Sequence, residues 1–382
     1  MRAPVADYVM QADALLDGWN AGDPGAIAIA RHKHPQFLDD TIKWLPKGLS
    51  DDEAQRVPFE FADAQLTVAR WYDFESWPRL VDHVEAVGRD DSPVSRFELA
   101  VEAVITGDVA ALTAMLARDP DLVRARSARV TPFDPPVHRA TLLHYIAANG
   151  VEGYRQKTPP NAVDVATTLL RAGAEVDALA DMYGGQATTM SMLVSSSPPA
   201  AAGLQTALAE TLLDFGAAID GAGSGAWTSP LMTALVFGFR DTAEALVRRG
   251  ARIDTLAATA GLGGLDDARR LLPGASADDR HRAMALAAAH GHVEIVRLLL
   301  DAGEDPNRYN PKGSHAHSTP LHQAIAGGHD GVVRLLVERG ARLDIEDTIY
   351  HGTPLGWAVY CDRPAIADYL RSRTTAGAPK SR

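Results

Sequence analysis

Apolar and polar residues follow a pattern in the C-terminal half of the chain that occurs more than once. The segment GHVEIVRLLLDAG, beginning at Gly291, is matched 37 residues later by GHDGVVRLLVERG, beginning at Gly328. In both segments the matching apolar residues are spaced three and four positions apart, which places them on one face of a helix. We therefore expect two amphipathic helices, each of which buries its apolar face against neighbouring elements.

The ends of the predicted helices also recur. Gly303 and Gly340 end the two segments, as a left-handed helix C-cap requires. The tripeptides Ser-Pro-Leu and Thr-Pro-Leu place a hydroxyl at the N-cap and a proline at the first helical position, beginning at Ser229, Thr319 and Thr353. These signals predict seven or eight repeated units. We place their starts near Phe97, Ala140, Thr188, Trp227, Leu256, Arg282, Ser318 and Gly352.

The sequence Thr319-Pro320-Leu321-His322, with Ala324 after it, resembles the T-P-L-H-x-A signature of ankyrin repeats. The resemblance implies a pair of antiparallel helices and a projecting β-turn finger in each unit. It also implies binding of other proteins along the concave face and the fingers. We therefore predict an all-α ankyrin-repeat solenoid with a small helical module before it. The predicted organisation is a module at 1–92, the array at 93–373 and a disordered tail at 374–382.

The N-terminal region has helical signals of its own. Apolar spacing predicts helices over residues 7–19 and 24–32 and a helical hairpin over 62–87, with Trp71, Phe74 and Trp77 at its joint. Ser50 precedes three acidic residues and is a candidate N-cap. The segment ARWYDFESWPRL at 69–80 is similar to a module that precedes ankyrin repeats in many bacterial proteins. The module is either an end cap for the solenoid or a docking module.

Long loops interrupt the repeat in three units, and long loops on a rigid scaffold are common binding sites. About eleven residues, VEGYRQKTPPN, are inserted in the second unit, and the finger RYNPKGSHAHS is also long. Between Phe97 and Arg373 the only two lysines lie in these two loops. The third unit has a Gly-Gly turn within residues 181–186 and a Ser/Pro-rich loop between its helices. The candidate binding residues are Tyr154, Arg155, Gln156, Lys157, Asp181, Tyr183 and Lys312. The alternative is that these are solvated loops that merely tolerate change.

The insertion combines an aromatic ring, a guanidinium, an amide and an ammonium group within four residues, a mixture that suits a binding hot spot or an anionic ligand. Because we interpret these side chains as surface contacts, replacing Tyr154 and Arg155 with alanine should leave folding intact. The following Thr158 and Pro159 or Pro160 predict the start of the second helix of this unit.

Metal and catalytic sites receive little support. His315 and His317 are weak candidates for a metal site, because they lie on a finger and the chain has a single cysteine, Cys361. His144 and His322 occupy the T-P-L-H position, where the resemblance implies a structural role. No nucleophile stands in a G-x-S-x-G context, and no phosphate-binding G-K-[ST] motif is present. We expect no enzymatic activity, cofactor or metal.

Composition narrows the partners. The formal net charge is −12, whereas duplex nucleic acid and anionic membrane surfaces attract basic proteins. We therefore expect neither nucleic acid nor a membrane as a partner. A single cysteine excludes disulfides within the chain and favours a reducing cytoplasm. We therefore predict a cytoplasmic, monomeric bacterial adaptor that binds a protein through the concave face and the inserted loops. The alternative is a small-molecule or peptide sensor, or an enzyme, with a pocket formed by the second- and third-repeat insertions against the N-terminal hairpin.

Overall fold

A computed structural model of the chain describes residues 3–89, 92–225 and 228–376. The predicted unit start at Trp227 and residues 377–382 of the predicted tail lie outside these ranges. Within them the chain forms two compact units, residues 1–217 with 222–225 and residues 218–221 with 226–382. The predicted all-α fold class is confirmed, because helices dominate both units and only one short hairpin is described.

The first unit begins with a helical module that has its own aromatic core. Its helices are α1 (Val5–Ala21), α2 (Pro24–Lys33), α3 (Asp51–Gln55), α4 (Phe61–Trp71) and α5 (Trp77–Gly88). In the core, Trp19 stacks on Phe59 with ring centroids 4.5 Å apart, and Phe37 and Phe74 are almost fully buried. The predicted cap is present, since Ser50 and Glu53 form a reciprocal capping box at the start of α3. The predicted helices and hairpin of this region are therefore confirmed.

Three repeats complete the first unit, and α5 packs directly on the first of them. The helices are α6 (Pro93–Thr106), α7 (Val109–Arg118), α8 (Ala162–Arg171), α9 (Thr189–Leu193), α10 (Ser197–Ala201) and α11 (Gln205–Asp214). The first helix of each repeat is here called its inner helix. In the second repeat a 3₁₀ helix, Leu142–Ala147, takes its place. The packing of α5 on α6 supports the end-cap alternative for the module, since it covers the apolar face of the first repeat.

One helix start differs from its prediction. The second helix of the second repeat, α8, begins at Ala162 rather than at Thr158 and a following proline. The N-cap residue is Asn161, whose side chain does not cap α8 and instead donates to the carbonyl oxygen of Gly107 at 2.9 Å. The proline pair lies in the loop before the helix, where its lack of backbone N–H groups costs no helical hydrogen bond.

The third repeat carries the hairpin of the first unit. Strands β1 (Ala180–Met182) and β2 (Gly185–Ala187) are antiparallel, with Ala180 opposite Ala187. Tyr183 and Gly184 form its two-residue turn, and both have positive φ, at 56° and 72°. A turn with two positive φ angles matches the twist of antiparallel strands, which explains the glycine in the second position. A tyrosine in the first position is unusual and is held by a contact described below.

The second unit consists of five helix pairs. They are α12 (Pro230–Val236) with α13 (Arg240–Arg248), α14 (Leu256–Leu262) with α15 (Leu265–Leu271), α16 (Ala277–Ala289) with α17 (Val293–Asp301), α18 (Pro320–Ala326) with α19 (Asp330–Glu338), and α20 (Pro354–Tyr360) with α21 (Pro364–Ala376). Together with the first unit, the described residues contain eight repeats. Helix α21 continues to Ala376, past the predicted start of the tail at residue 374.

A ladder of side chains joins consecutive repeats of the second unit. His292 donates from Nε2 to the carbonyl oxygen of Gly261 at 3.0 Å, and His329 makes the same bond to Ala289 at 2.8 Å. In the last repeat Arg363 takes this position and donates to Ala326 at 3.0 Å. Each side chain thus satisfies a carbonyl group at the C-terminal end of the preceding inner helix, where helical hydrogen bonds run out.

The predicted structural role of the histidines in the T-P-L-H position is also confirmed. His144 accepts the backbone N–H of Thr141 at Nδ1, 3.0 Å away, and His322 accepts that of Thr319 at 3.3 Å. Both rings are fully buried, so the pKa of each is lowered by burial and the neutral form is favoured.

Candidate functional site

The insertion of the second repeat packs against the N-terminal module. Its Gly153–Arg155 segment is a short 3₁₀ helix, and the backbone N–H of Gly153 donates to Oδ2 of Asp73 at 2.6 Å. The ring of Tyr154 meets that of Tyr72 edge to face, with centroids 5.3 Å apart. Asp73 and Tyr72 lie at the joint between α4 and α5, so the insertion is seated on the predicted hairpin.

Beneath this contact lies a buried cluster of charges, here called the arginine cluster and defined by Glu98, Arg129, Glu152 and Arg155. Arg155 is ion-paired with Glu98 of α6 and lies 3.7 Å from Glu152, which in turn is 3.4 Å from Arg129. All four side chains are at most 5% exposed. Two positive and two negative charges cancel, which is the condition under which charges can be buried at moderate cost.

The ionisation of the cluster follows from these pairs. Burial by itself raises the pKa of Glu98, but the adjacent guanidinium of Arg155 and the nearby His83 lower it well below its ordinary value. Burial also raises the pKa of the Tyr154 hydroxyl to about 12, so this group is neutral and accepts a hydrogen bond from Nη1 of Arg129 at 2.7 Å. The cluster is therefore a set of fixed ion pairs at neutral pH.

The structure corrects the prediction that the insertion offers its side chains to a partner. Arg155 is completely buried and paired, so the prediction of a surface guanidinium is wrong. Tyr154 is half-buried against Tyr72, and Gln156 donates to the carbonyl oxygen of Val151 at 2.9 Å. Of the four residues, Lys157 alone is exposed. The insertion by itself does not indicate the acidic partner of its guanidinium, because Glu98 lies 57 positions earlier in the sequence.

The predicted pocket beside the insertion is too small for a ligand. Arg129, Tyr145 and Glu152 line the cavity here, together with neighbours from the second repeat, and its volume is about 10 Å³. That volume accommodates about one water molecule. The alternative of a small-molecule site between the insertion and the N-terminal hairpin is therefore not favoured.

The hairpin of the third repeat presents an exposed and fixed tyrosine. Tyr183 is 53% exposed, and its hydroxyl donates to Oδ1 of Asn149 at 2.6 Å. Asn149 is itself anchored, because its Nδ2 donates to Oγ of Ser195 at 2.8 Å. Asp181 accepts from the Gln186 side chain across the strands at 3.2 Å. Among the predicted site residues, Asp181 and Tyr183 are brought together on one hairpin.

In the second unit the long finger, residues 307–319, folds back over earlier repeats. His315 donates from Nε2 to the carbonyl oxygen of Val236 at 3.0 Å, and its ring contacts Phe237 edge to face. The hydroxyl of Tyr309 donates to the carbonyl oxygen of Glu346 at 2.6 Å, on the next finger. Lys312 is exposed near the tip. The finger is thus fixed at both sides, which its sequence does not reveal.

The candidate metal ligands on this finger have other partners. The rings of His315 and His317 are 5.9 Å apart, and His317 lies against Tyr350 and Trp357. Within the described ranges, no group of three or more histidine, cysteine, aspartate or glutamate side chains is arranged to hold a metal ion.

The return of the finger to α12 bounds a cavity of about 260 Å³. Met232, Val236 and Ala257 form an apolar wall, and Asp279 and Arg282 of α16 form a charged one. This helix is almost twice as long as the other inner helices of its unit, because Ser276 caps it and the usual proline is missing. Arg282 stands where Thr319 stands in the next repeat, and this departure from the capping pattern is a local sequence signal for the cavity.

Helix pairs, finger turns and inter-repeat histidines together define an ankyrin-repeat array, and the chain belongs to the ankyrin-repeat family. The ankyrin-repeat family model matches residues 255–347 and 287–378. Human cyclin-dependent kinase 4 inhibitor B is 32% identical over 120 residues, which cover 24% of this chain and 86% of that protein. In the described part of the chain, every helix is too short or too polar to cross a bilayer.

Two other relatives share the repeats over a smaller fraction of their length. The NF-kappa-B inhibitor cactus of Drosophila melanogaster is 31% identical over 96 residues, which cover 25% of this chain and 19% of cactus. An ankyrin repeat-containing protein of Schizosaccharomyces pombe is 37% identical over 91 residues, or 24% of this chain and 40% of that protein. The chain therefore spans less than half the length of these two relatives.

Proposed function

We propose that the protein is a scaffold or adaptor that binds a protein partner through the concave face and the fingers of its ankyrin array. The observation that carries this proposal is a set of exposed tyrosines held on fingers in both units. Tyr183 is 53% exposed, Tyr309 39% and Tyr350 58%. Tyrosine supplies a large contact area at a small entropic cost, and fixing it beforehand reduces the cost further.

The hydrogen bonds of two of these tyrosines support a role in binding. The hydroxyls of Tyr183 and Tyr309 each have a partner at 2.6 Å in the scaffold, so their rings are oriented before a partner arrives. Exposing an aromatic ring to water brings no gain in stability, whereas covering it in an interface does. Two relatives are named as inhibitors of a kinase and of NF-kappa-B, which supports a protein as the partner.

The charge and the loops add detail to this proposal. The net charge of −12 favours a protein partner over nucleic acid or an anionic membrane surface. Lys157, Asp181 and Lys312 are the remaining predicted contacts, and two of these three side chains are exposed. A cytoplasmic location, a bacterial origin and a monomeric state stay predictions from the sequence.

Affinity capture from a lysate of the source organism, followed by cross-linking mass spectrometry, tests the proposal. The bait is the full chain, compared with the variant Tyr183→Ala/Tyr350→Ala. Tyr360→Ala is the matched control, because Tyr360 is 92% exposed but lies at the end of the last inner helix. Removing two hot-spot tyrosines should weaken binding about 30-fold or more.

The expected result is a protein retained by the wild type and by Tyr360→Ala, lost by the finger variant, and cross-linked to Lys157 or Lys312. A partner retained equally by all three baits would contradict the assignment of the fingers. If the full chain retains no protein above the background of an unrelated bait, the adaptor proposal itself is wrong.

A further inference from the structure

The cavity under the long finger has an unusual charge arrangement. Arg282 lies in its wall, half-buried, and donates from Nη1 to Oγ of Ser314 at 3.0 Å. Among residues 3–89, 92–225 and 228–376, no carboxylate lies within 4 Å of its guanidinium. A guanidinium has five N–H donors in a planar fork, so most of its donor capacity is unused. An arginine in a sheltered wall without a carboxylate partner is arranged for an anionic group from outside the described chain.

The nearby carboxylate does not fill this role. Asp279 also lines the cavity, but it accepts the backbone N–H groups of Leu256 and Ala257 at 3.2 and 3.3 Å. These N–H groups begin α14, and a carboxylate is stabilised at a helix N-terminus. The carboxylate of Asp279 is therefore already hydrogen-bonded to the start of α14, and Arg282 is the charged group of the cavity without a charged partner among the residues described.

The size and the other wall restrict the ligand further. A volume of about 260 Å³ lies below the range typical of pockets for drug-sized molecules and suits one side chain or a terminal residue. Met232, Val236 and Ala257 would contact an alkyl group. A dianionic phosphate is disfavoured relative to a carboxylate, because a single arginine balances only one of its two charges and Asp279 in the same wall repels two charges more strongly than one. A carboxylate carries one charge and matches the planar fork of the guanidinium.

We propose that this cavity binds a carboxylate attached to a short alkyl group, with Arg282 as the anion-binding residue and the long finger as its cover. The inference deepens the proposed function and rests on it in one respect: the carboxylate belongs to the protein partner, as an acidic side chain or a C-terminal residue. A free small carboxylic acid has the same chemistry, and the experiment separates the two sources.

The first arm uses small probes on the full chain and needs no partner. Binding of N-acetyl-leucine and N-acetyl-glutamate α-amide is measured by saturation-transfer NMR and compared with that of N-acetyl-leucinamide and N-acetyl-glutaminamide. Binding of inorganic phosphate is measured by isothermal titration calorimetry, with the acids titrated in the same way for comparison. At least one acid should bind about 10-fold or more tightly than its neutral amide, since a hydrogen bond to a charged group is stronger than one to a neutral group. Equal binding of acid and amide, no binding at all, or tighter binding of phosphate would overturn the proposal.

Variants then place the site. Arg282→Gln should abolish the preference for acid over amide, and Met232→Trp should abolish binding by filling the cavity while leaving the charge in place. Arg297→Gln is the control, on the second helix of the same repeat and 45% exposed. Thermal unfolding checks that each variant is folded. If Arg282→Gln and Met232→Trp bind the acids as well as the control does, the probes occupy another site and the proposal is wrong.

The second arm repeats the affinity capture with Arg282→Gln as bait. Loss of the partner supports a carboxylate supplied by that protein. Retention of the partner, together with acid binding in the first arm, overturns the protein source and leaves a free carboxylic acid as the ligand. Failure of the probes alone contradicts the cavity assignment and not the tyrosine fingers, so the two proposals fail separately.

Discussion

Removal of the buried guanidinium of Arg155 is the sharpest test of the structural interpretation, because the sequence alone predicted a harmless substitution. Breaking a buried ion pair by removing one partner costs about 3–5 kcal/mol, since the other charge is left buried and unpaired. After Arg155 is replaced, Glu98 still has His83 at 3.5 Å and Glu152 still has Arg129 at 3.4 Å, which reduces the cost. We therefore expect Arg155→Met, which roughly preserves side-chain volume, to lower the free energy of unfolding by about 3 kcal/mol, near the lower end of that range.

A charge-balanced double variant separates charge from packing. Arg155→Met/Glu98→Leu removes one positive and one negative group and leaves Arg129 paired with Glu152. Replacing a buried ion pair with apolar residues of similar volume is often neutral or stabilising, so this variant should recover most of the loss. Arg155→Ala should cost more than Arg155→Met, about 4–5 kcal/mol, because a cavity adds to the unpaired charge.

The assay is urea unfolding followed by tryptophan fluorescence, combined with hydrogen exchange of peptides from α6. Arg96→Met is the matched control, because Arg96 lies on the same helix as Glu98 and its ion pair with Asp119 is 37% and 29% exposed. Pairs at this level of exposure contribute at most about 1 kcal/mol. If Arg155→Met is no more destabilising than Arg96→Met, the arginine cluster does not stabilise the first unit and the insertion is not the structural element described above.

Three further predictions concern the repeats. Burial lowers the pKa of His144 to about 4, below the value of 6.5 expected for the unfolded chain, so the unfolded state binds a proton that the folded state does not. The contribution of this neutral ring to the free energy of unfolding is therefore complete above pH 6.5 and falls by roughly 1.4 kcal/mol per pH unit below it. Urea unfolding midpoints measured from pH 7.5 to 5 should show this fall, and His144→Asn should reduce its slope. Gly327→Ala would place Cβ 2.5 Å from the ring of His329 and should lower the free energy of unfolding, followed by thermal denaturation, by about 1–3 kcal/mol. The control Gly356→Ala, whose Cβ would have its nearest neighbour at 3.6 Å, should be neutral or stabilising. Asp347 is fully buried and accepts three backbone N–H groups and an indole N–H. Asp347→Ala should therefore lower the free energy of unfolding by about 2 kcal/mol or more and accelerate hydrogen exchange in residues 345–352. Unchanged exchange in these residues would contradict an anchoring role for Asp347.

Much of the fold could be predicted because its determinants are local. A helix period, a hydroxyl before proline and a glycine after the last apolar residue are all read within about ten positions, and they located the repeats from Ser229 to Gly340. The N-terminal hairpin followed from the same signals, with Trp71, Phe74 and Trp77 at the joint. Hydrophobic periodicity also fixes which residues of each predicted helix face the core, since a shift by one residue would turn the apolar face away from it.

The site could not be predicted in the same way, because its contacts join distant positions. Tyr154 and Arg155 have the composition of a binding hot spot, and the same composition serves a buried cluster once Glu98 supplies the opposite charge. The hydrogen bond that fixes His315 to Val236 spans 79 positions of the chain. Arg282 did carry a local signal, a charge in place of a capping hydroxyl, but its meaning depends on a cavity that only the folded finger creates.

The ladder formed by His292, His329 and Arg363 gives the second unit a direction. Every donor reaches back to a carbonyl group of the repeat that precedes it. Truncation from the C-terminal side removes a donor, returns one carbonyl to water and uncovers the packed face of the repeat before it. Truncation from the N-terminal side takes the acceptor from a histidine of the following repeat and uncovers its packed face as well. Shortening by whole repeats should therefore cost packing at both ends, and it should cost more from the N-terminal side, where a histidine keeps its N–H group without an acceptor.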